Sequence, residues 1–577
     1  MLMANLDKVR GGELLAQAIE DKGIDTVFSL CGGFLNPVYE ACLDRGIRVV
    51  TCRSEAEAGH MADGWARISR RPAVCLAGPE GSALTVPAMA EAFLERTPVI
   101  FITSSSIFKR LDRGGFKEIN HARMAEPVTK YSVLVNAGKR IPEFFNKAYD
   151  LATSGYTGPV HVSVPIDFLY SSYEVAESDM ERRFNLQARQ PTNAPRPGER
   201  EVATLFDLLK SAKRPVIIAG HGVWWGHAEK AVEALATQLR IPLFNLPFHK
   251  KMFPFDSRTC MGLADVHQYP PSEEAFNEAD LFILMGARVN YLVNFGDPTF
   301  FPKSAKIATV NGSWEEVSDN HIADHRVLGN IGETAQALGE LAEQSGYNAD
   351  GGWFDMQLER RGQWVERTLR ELPMDDGLVH PLRMCLTVID ALGEKDYLLT
   401  DGGDCWSWID TAVNIAGWQG KKIAGVLHPG VFGLIGVSVP FSNAAKLLNP
   451  DSRVVAVSGD GAMQCSGLAI ETSIQHQIPI VVVVDNNKAY GMIKVQQQTL
   501  FKQGRHYGTD LRGTPFHSMV AALGGHGELV ERIEQLPGAL ERAFESGIPA
   551  CINVMTQTLR SPLTGGLIDR RSKSSIE

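Results

Sequence analysis

The chain alternates short, wholly apolar runs with longer segments whose apolar residues recur every three or four positions. From the start to about Phe184, the runs TVFSL, RVVTC, AVCLAG, PVIFITSS and PVHVSVP read as buried strands. Helical patterns such as GELLAQAIEDKG and AEAGHMADGWARIS separate them. Apolar strands joined by helix-length connections predict a parallel sheet covered on both faces. The stretch LQARQPTNAPRPGERE at 186–201, with its three prolines, reads as a linker. A second unit follows, with strands at PVIIAG, IPLFNL, LFILMG, KIATVNG and VLGNI, and SGYNADGG at 345–352 marks the next break. The third unit holds YLLTDGG, RVVAVSGDG, IPIVVVVDNN and ACINVM. The expected fold class is α/β: three doubly wound parallel-sheet domains at 1–184, 200–342 and 353–557, with a tail at 558–577.

Composition narrows the function class. At 577 residues the chain is long enough for about three or four cores. A net charge of −10 without a broad basic stripe argues against nucleic acid as a partner. Nine cysteines, scattered singly, fit a reducing compartment better than a disulfide scaffold. The amino terminus lacks the apolar core of a signal peptide, and IAGVLHPGVFGLIGVSVPF is broken by glycines, prolines and a histidine. A cytoplasmic enzyme acting on a small molecule, with no membrane partner, is expected.

The densest chemistry lies in the third unit. GDGAM at 459–463 ends one strand-like run, and Asn486–Asn487 end the next, with a helical pattern between them. A right-handed crossover of that size brings Asp460 and Asn487 to the carboxyl ends of neighbouring strands, where open α/β sheets bind ligands. A carboxylate and an amide oxygen suit a hard divalent cation that also holds phosphate oxygens, and Gly459 and Gly461 leave the backbone open to a diphosphate. Read alone, the same letters also describe a helix cap at Asp460 and a turn at Asn486–Asn487.

GDG, about two dozen residues, then NN resembles the signature of thiamine diphosphate (ThDP) enzymes, and the resemblance to the acetolactate synthase-like group runs along essentially the whole chain. It implies pyrimidine-binding, central and diphosphate-binding domains in that order. It implies Mg2+ held by Asp460, Asn487 and the Ala489 carbonyl, with Gly459, Gly461 and Ala462 beside the diphosphate. RSEAEAGHMADGWAR is similar to the family's helix start that carries the glutamate against the aminopyrimidine, here Glu55; a first-turn acid is the plain alternative. His60, Asp63 and Arg67 are expected to lock this helix against a neighbouring subunit. HPGVFGLIGVSVP resembles the segment that cradles the ring, through the Gly433 carbonyl and Ile435.

The substrate side departs from the family. FSLCGGFLN puts Phe34 on the pocket wall, and DRGGFKEINH offers Phe116, Lys117 and His121 where acetolactate synthases carry glutamine after the phenylalanine. GPEGSAL places Glu80 where glycine is usual. NNKAYGMIKVQQQ offers Tyr490 and Gln496 on the acceptor side. GARVNYLVNFGDP is similar to the matching loop of 2-hydroxyacyl-CoA lyases, and no flavin segment of the GMHG type is found, so FAD is doubtful. The resemblance implies a homodimer or homotetramer with active sites at the subunit interface. It implies a lyase or carboligase making or breaking a carbon–carbon bond next to a carbonyl, with a 2-oxo acid or aldehyde donor. A CoA-thioester enzyme of the 2-hydroxyacyl-CoA lyase or oxalyl-CoA decarboxylase type is one alternative, the basic tail then closing over CoA. A non-catalytic paralogue serving as a regulatory subunit is the other.

Overall fold

The computed structural model describes residues 6–176, 194–246, 253, 257–318, 323–374 and 377–573. The linker expected at 186–201 lies outside the described residues as far as 193. The chain divides into two compact units, each described here by itself. The first comprises Met1–Asn193, Asn443–Asn449 and Leu468–His476; the second comprises Ala194–Ser442, Pro450–Gly467 and Gln477–Glu577.

The first unit is built on a six-stranded parallel sheet. Its order is Arg48–Thr51, Thr26–Ser29, Ala73–Ala77, Val99–Ser105, Val160–Pro165 and Tyr131–Leu134. The central strands are buried on both faces, as their unbroken apolar sequences require. An antiparallel pair, Leu6–Arg10 with Ser172–Ala176, completes the unit. The helix Glu55–Ser69 opens at the end of Arg48–Thr51, where Ser54 caps it by accepting from the Glu57 amide at 3.1 Å. Its Gly59 lets the helix Ser82–Leu94 approach, since a methyl group added there would lie 2.6 Å from Cβ of Ala88.

The second unit holds two more six-stranded sheets, all of whose pairings are parallel. One runs Cys260–Leu263, Leu243–Asn245, Pro215–Ala219, Leu281–Met285, Lys306–Asn311 and His325–Leu328. The other runs Gly425–Leu427, Tyr397–Asp401, Val454–Gly459, Val481–Asn486, Ala550–Met555 and His526–Val530. Three parallel six-stranded sheets with flanking helices bear out the α/β class. The tail forms the helix Pro562–Lys573. Among the described residues no helix is long and apolar enough to cross a membrane.

Candidate functional site

In the second unit, three neighbouring strands end at one place. Gly459 pairs with Asp485, so the turns after Val454–Gly459 and Val481–Asn486 rise together, and Tyr397–Asp401 flanks them. Asp460 opens the helix Asp460–Ser466 and is 3% exposed. Its Oδ1 accepts from the Gly461 amide at 2.8 Å and its Oδ2 from the Ala489 amide at 3.2 Å. Oδ1 of Asn487 accepts from that same Ala489 amide at 3.0 Å. The two side chains converge as the crossover argument requires. Asn486 does different work: its amide donates to Asn553 and to the Thr514 carbonyl, pinning the turn from below.

Negative charge is concentrated here. Burial pushes the Asp460 carboxyl up to about 6, although backbone amides pull the other way. Burial also pushes Asp485 up to about 7, despite a hydrogen bond from Thr556, and Asp460 and Asp404 add to the effect. Asp404, in the first turn of Gly403–Trp418, is raised by burial as well. Its Oδ1 accepts from Thr564 at 2.8 Å, whereas its Oδ2 is buried without a hydrogen-bond partner among the described residues. A methyl group added at Gly491 would lie 2.8 Å from both that oxygen and Nδ2 of Asn487, so Asp404 borders the same place.

These observations fit a hard cation with a phosphate ester. The donors are a carboxylate, an amide oxygen and the carbonyl of Ala489, all oxygen, as Mg2+ prefers. Among the described residues no cluster of three His, Cys, Asp or Glu side chains forms a conventional metal site. A methyl group at Gly459 would meet nothing within 4 Å, which leaves the backbone there open to a ligand. Gly461 differs from expectation. A methyl group there would lie 2.4 Å from the Tyr490 ring, so this glycine makes room for tyrosine. Ala462 is buried in the same turn.

Sequence reading passed over Asp401, the residue that shapes the adjoining loop. Its Oδ2 accepts from the amides of Gly436, Val437 and Ser438 at 2.8, 2.8 and 3.1 Å, and its Oδ1 from Ser458 at 2.7 Å. A fully buried carboxylate with four donors fixes where Gly433 and Ile435 stand. Gly433 takes φ +70°, and Ile435 is 37% exposed. Gly436 lies against Cys465 and Ser466, which brings this loop to the helix that Asp460 opens. The signal was an acid at a strand's carboxyl end, read only as part of the strand LLTDGG. Tyr490 covers Gly461, and Gln496 stands half-buried six residues further along, on the helix Gly491–Leu500.

In the first unit Glu55 is the first residue of its helix and is 6% exposed. Its carboxylate lies against the backbone of Gly81, where an added methyl group would be 2.2 Å from Oε1. Glu57 turns away: its Oε2 accepts from the Arg53 amide at 2.7 Å, and burial pushes its carboxyl up to about 7. The expectation for Asp63 and Arg67 needs correcting. Arg67 donates to both oxygens of Asp63, at 2.9 and 2.6 Å, and reaches Glu91 at 3.4 Å. Those fully buried pairs join the helix to Ser82–Leu94 of its own unit, because Asp63 and Arg67, four residues apart, share the face that meets that helix.

Of the proposed substrate residues, Phe34 stands in the short helix Gly33–Leu35, and Lys117 approaches its ring. Phe116 is 77% exposed. His121 is buried, lowered in pKa by burial, and bonded through Nε2 to the Pro79 carbonyl at 3.0 Å. It holds the turn carrying Glu80 rather than facing open space.

Comparison with known proteins agrees with this arrangement. The chain matches three thiamine pyrophosphate enzyme domains: the N-terminal TPP binding domain over residues 9–124, the central domain over 202–338 and the C-terminal TPP binding domain over 411–554. It is 31% identical to the acetolactate synthase large subunit IlvG of Mycobacterium tuberculosis, over 95% of this chain and 96% of that one. A probable acetolactate synthase of Mycobacterium bovis matches equally. A probable acetolactate synthase large subunit of Methanocaldococcus jannaschii is 26% identical over 95% of this chain and 92% of its own.

Proposed function

This chain belongs to the thiamine pyrophosphate enzyme family as an acetolactate synthase-like, ThDP-dependent enzyme, and on that premise we propose that it is a Mg2+-dependent carbon–carbon lyase or carboligase. The observation that carries the metal reading is the convergence of Asp460 and Asn487 on one amide. Bound ThDP supplies an electron sink for the carbon next to a carbonyl. Asp460, Asn487 and the Ala489 carbonyl hold the cation, which neutralises the diphosphate beside Gly459 and Ala462. The Gly433 carbonyl and Ile435 orient the aminopyrimidine, on a loop that Asp401 keeps in place. Glu55 holds and returns a proton at its carboxylate, kept from water by Gly81.

The domain limits we assign are 1–184, 200–342 and 353–557. A 2-oxo acid or aldehyde is the donor, and two or more copies assemble around the active sites. The CoA-thioester alternative finds little support in a cavity of the second unit, of about 1070 Å3. Among the described residues its lining has one arginine or lysine, Arg560, against Glu273, Asp297 and Asp569, and Arg560 is already paired with Asp569. A diphosphate of CoA calls for the opposite balance.

Mass spectrometry of products tests the reading, with 2-oxo acids, aldehydes and 2-hydroxyacyl-CoA esters each offered with ThDP and Mg2+. Carboligation or decarboxylation of a 2-oxo acid or aldehyde is expected. Turnover of CoA esters alone would support the alternative, and no ThDP-dependent product from any donor would support a regulatory role.

A further inference from the structure

A pair of opposite charges stands close to Glu55 in the first unit, and cofactor activation makes no use of it. Lys117 donates to Oε1 of Glu80, and Glu80 immediately precedes Gly81, whose backbone touches the Glu55 carboxylate. The Lys117 ammonium also lies 5.5 Å from the ring centre of Phe34 and 5.1 Å from that of Phe116. Two aromatic rings and a carboxylate make a corner that holds an ammonium.

The Lys117 side of this corner is firmly built. Glu118 accepts from the amides of Asp112 and Gly115, and the Ser106 hydroxyl donates to the Phe116 carbonyl at 2.9 Å. His121 ties the end of the loop to Pro79, beside Glu80. Lys117 itself takes φ +61°, a conformation that a residue with a side chain keeps only where its surroundings enforce it. The Glu80 side is loose by contrast. Its side chain is 52% exposed and that of Lys117 27%, and pairs so open to water are weak. A carboxylate from solution can therefore replace Glu80 at small cost while the ammonium stays at the rings.

We propose that Lys117 and Glu80 are a specificity-determining pair: Lys117 is the subsite for the carboxylate of an anionic substrate such as a 2-oxo acid, and Glu80 is its internal competitor, displaced on binding. This rests on the assignment of Glu55 to cofactor activation, which makes the corner a wall of the active site.

Calorimetric titration of the ThDP- and Mg2+-loaded full chain with oxamate, a carboxylate isostere of pyruvate, and with uncharged oxamide tests the pair. Glu80→Gln tightens oxamate about three- to fivefold and leaves oxamide alone. Lys117→Met weakens oxamate, and the double variant binds it no better than Lys117→Met does. Equal or weaker oxamate binding by Glu80→Gln, an equal gain for oxamide, or no oxamate binding by any variant overturns the proposal. Thiazolium proton exchange in the wild-type holoenzyme is the separate readout for Glu55. Its absence defeats the cofactor assignment, whereas exchange without a Glu80→Gln effect defeats only the pair.

Discussion

The Asp460 carboxylate and the Asn487 side-chain oxygen accept from a single donor, the amide of Ala489, at 3.2 and 3.0 Å. Two acceptors drawn to one N–H leave further lone pairs on both side chains for a cation.

Glu55→Gln keeps the shape of the side chain and removes its capacity to exchange a proton. ThDP content is expected to stay near that of the wild type. Deuterium exchange at the thiazolium carbon slows by about 100-fold or more. NMR of the quenched holoenzyme measures both.

Gly81→Ala makes the complementary test. The added methyl group meets the end of the Glu55 side chain, which can move, rather than backbone, which cannot. Stability therefore falls by only about 1 kcal/mol in urea unfolding. Thiazolium exchange drops at least about tenfold because the carboxylate is displaced. A large stability loss with normal exchange would contradict the contact's role.

The residues of the candidate site also show what the sequence makes legible. Glu55, Asp460 and Asn487 stand at strand-to-helix turns flanked by long apolar runs, so period and spacing alone bring them to sheet edges. The strands that sequence reading missed are Leu6–Arg10, Tyr131–Leu134, Ser172–Ala176, Cys260–Leu263, Gly425–Leu427 and His526–Val530. Each is an outer strand of its sheet. Outer strands are short and pair on one side only, so they lack the continuous apolar run that marks a central strand. Asp401 was hidden for another reason. Its partners lie 35 to 37 residues away, and nothing local announces a carboxylate that organises a distant loop.

Asp401→Ala strands three buried amides and the Ser458 hydroxyl. A loss of about 3 kcal/mol or more in urea unfolding is expected, together with weaker ThDP binding. Asp401→Asn retains an acceptor for the amides and presents its NH2 to Ser458, so it loses markedly less. Equal losses in the two variants would contradict the hydrogen-bond account.

Two buried histidines contribute stability that is lost on acidification through the histidine range. His161 is fully buried, bonded to Thr103 and Ser132 at 2.8 Å each, and burial pushes its pKa down to about 3; burial does the same to His60. Both are neutral when folded and titrate near 6.5 when unfolded, so the unfolded chain binds more protons below that pH. Their contribution is complete above pH 6.5 and is lost as pH falls toward 3, by about 1.4 kcal/mol per unit for each histidine. Glu57 and Asp485, raised to about 7, and Asp460, raised to about 6, work in the opposite sense: the folded form binds the extra protons, and their contribution falls as pH rises from the ordinary carboxyl range to those values. Urea midpoints against pH for the wild type, His161→Gln and Glu57→Gln separate the two effects.

The most direct measurement is calorimetric titration of the full chain with ThDP, with and without Mg2+, for the wild type, Asp460→Ala and Asn487→Ala. Binding by the wild type is expected to require Mg2+, and Asp460→Ala should weaken it by at least about 100-fold, with Asn487→Ala also impaired. Mg2+-dependent binding of undiminished affinity in Asp460→Ala would contradict the account.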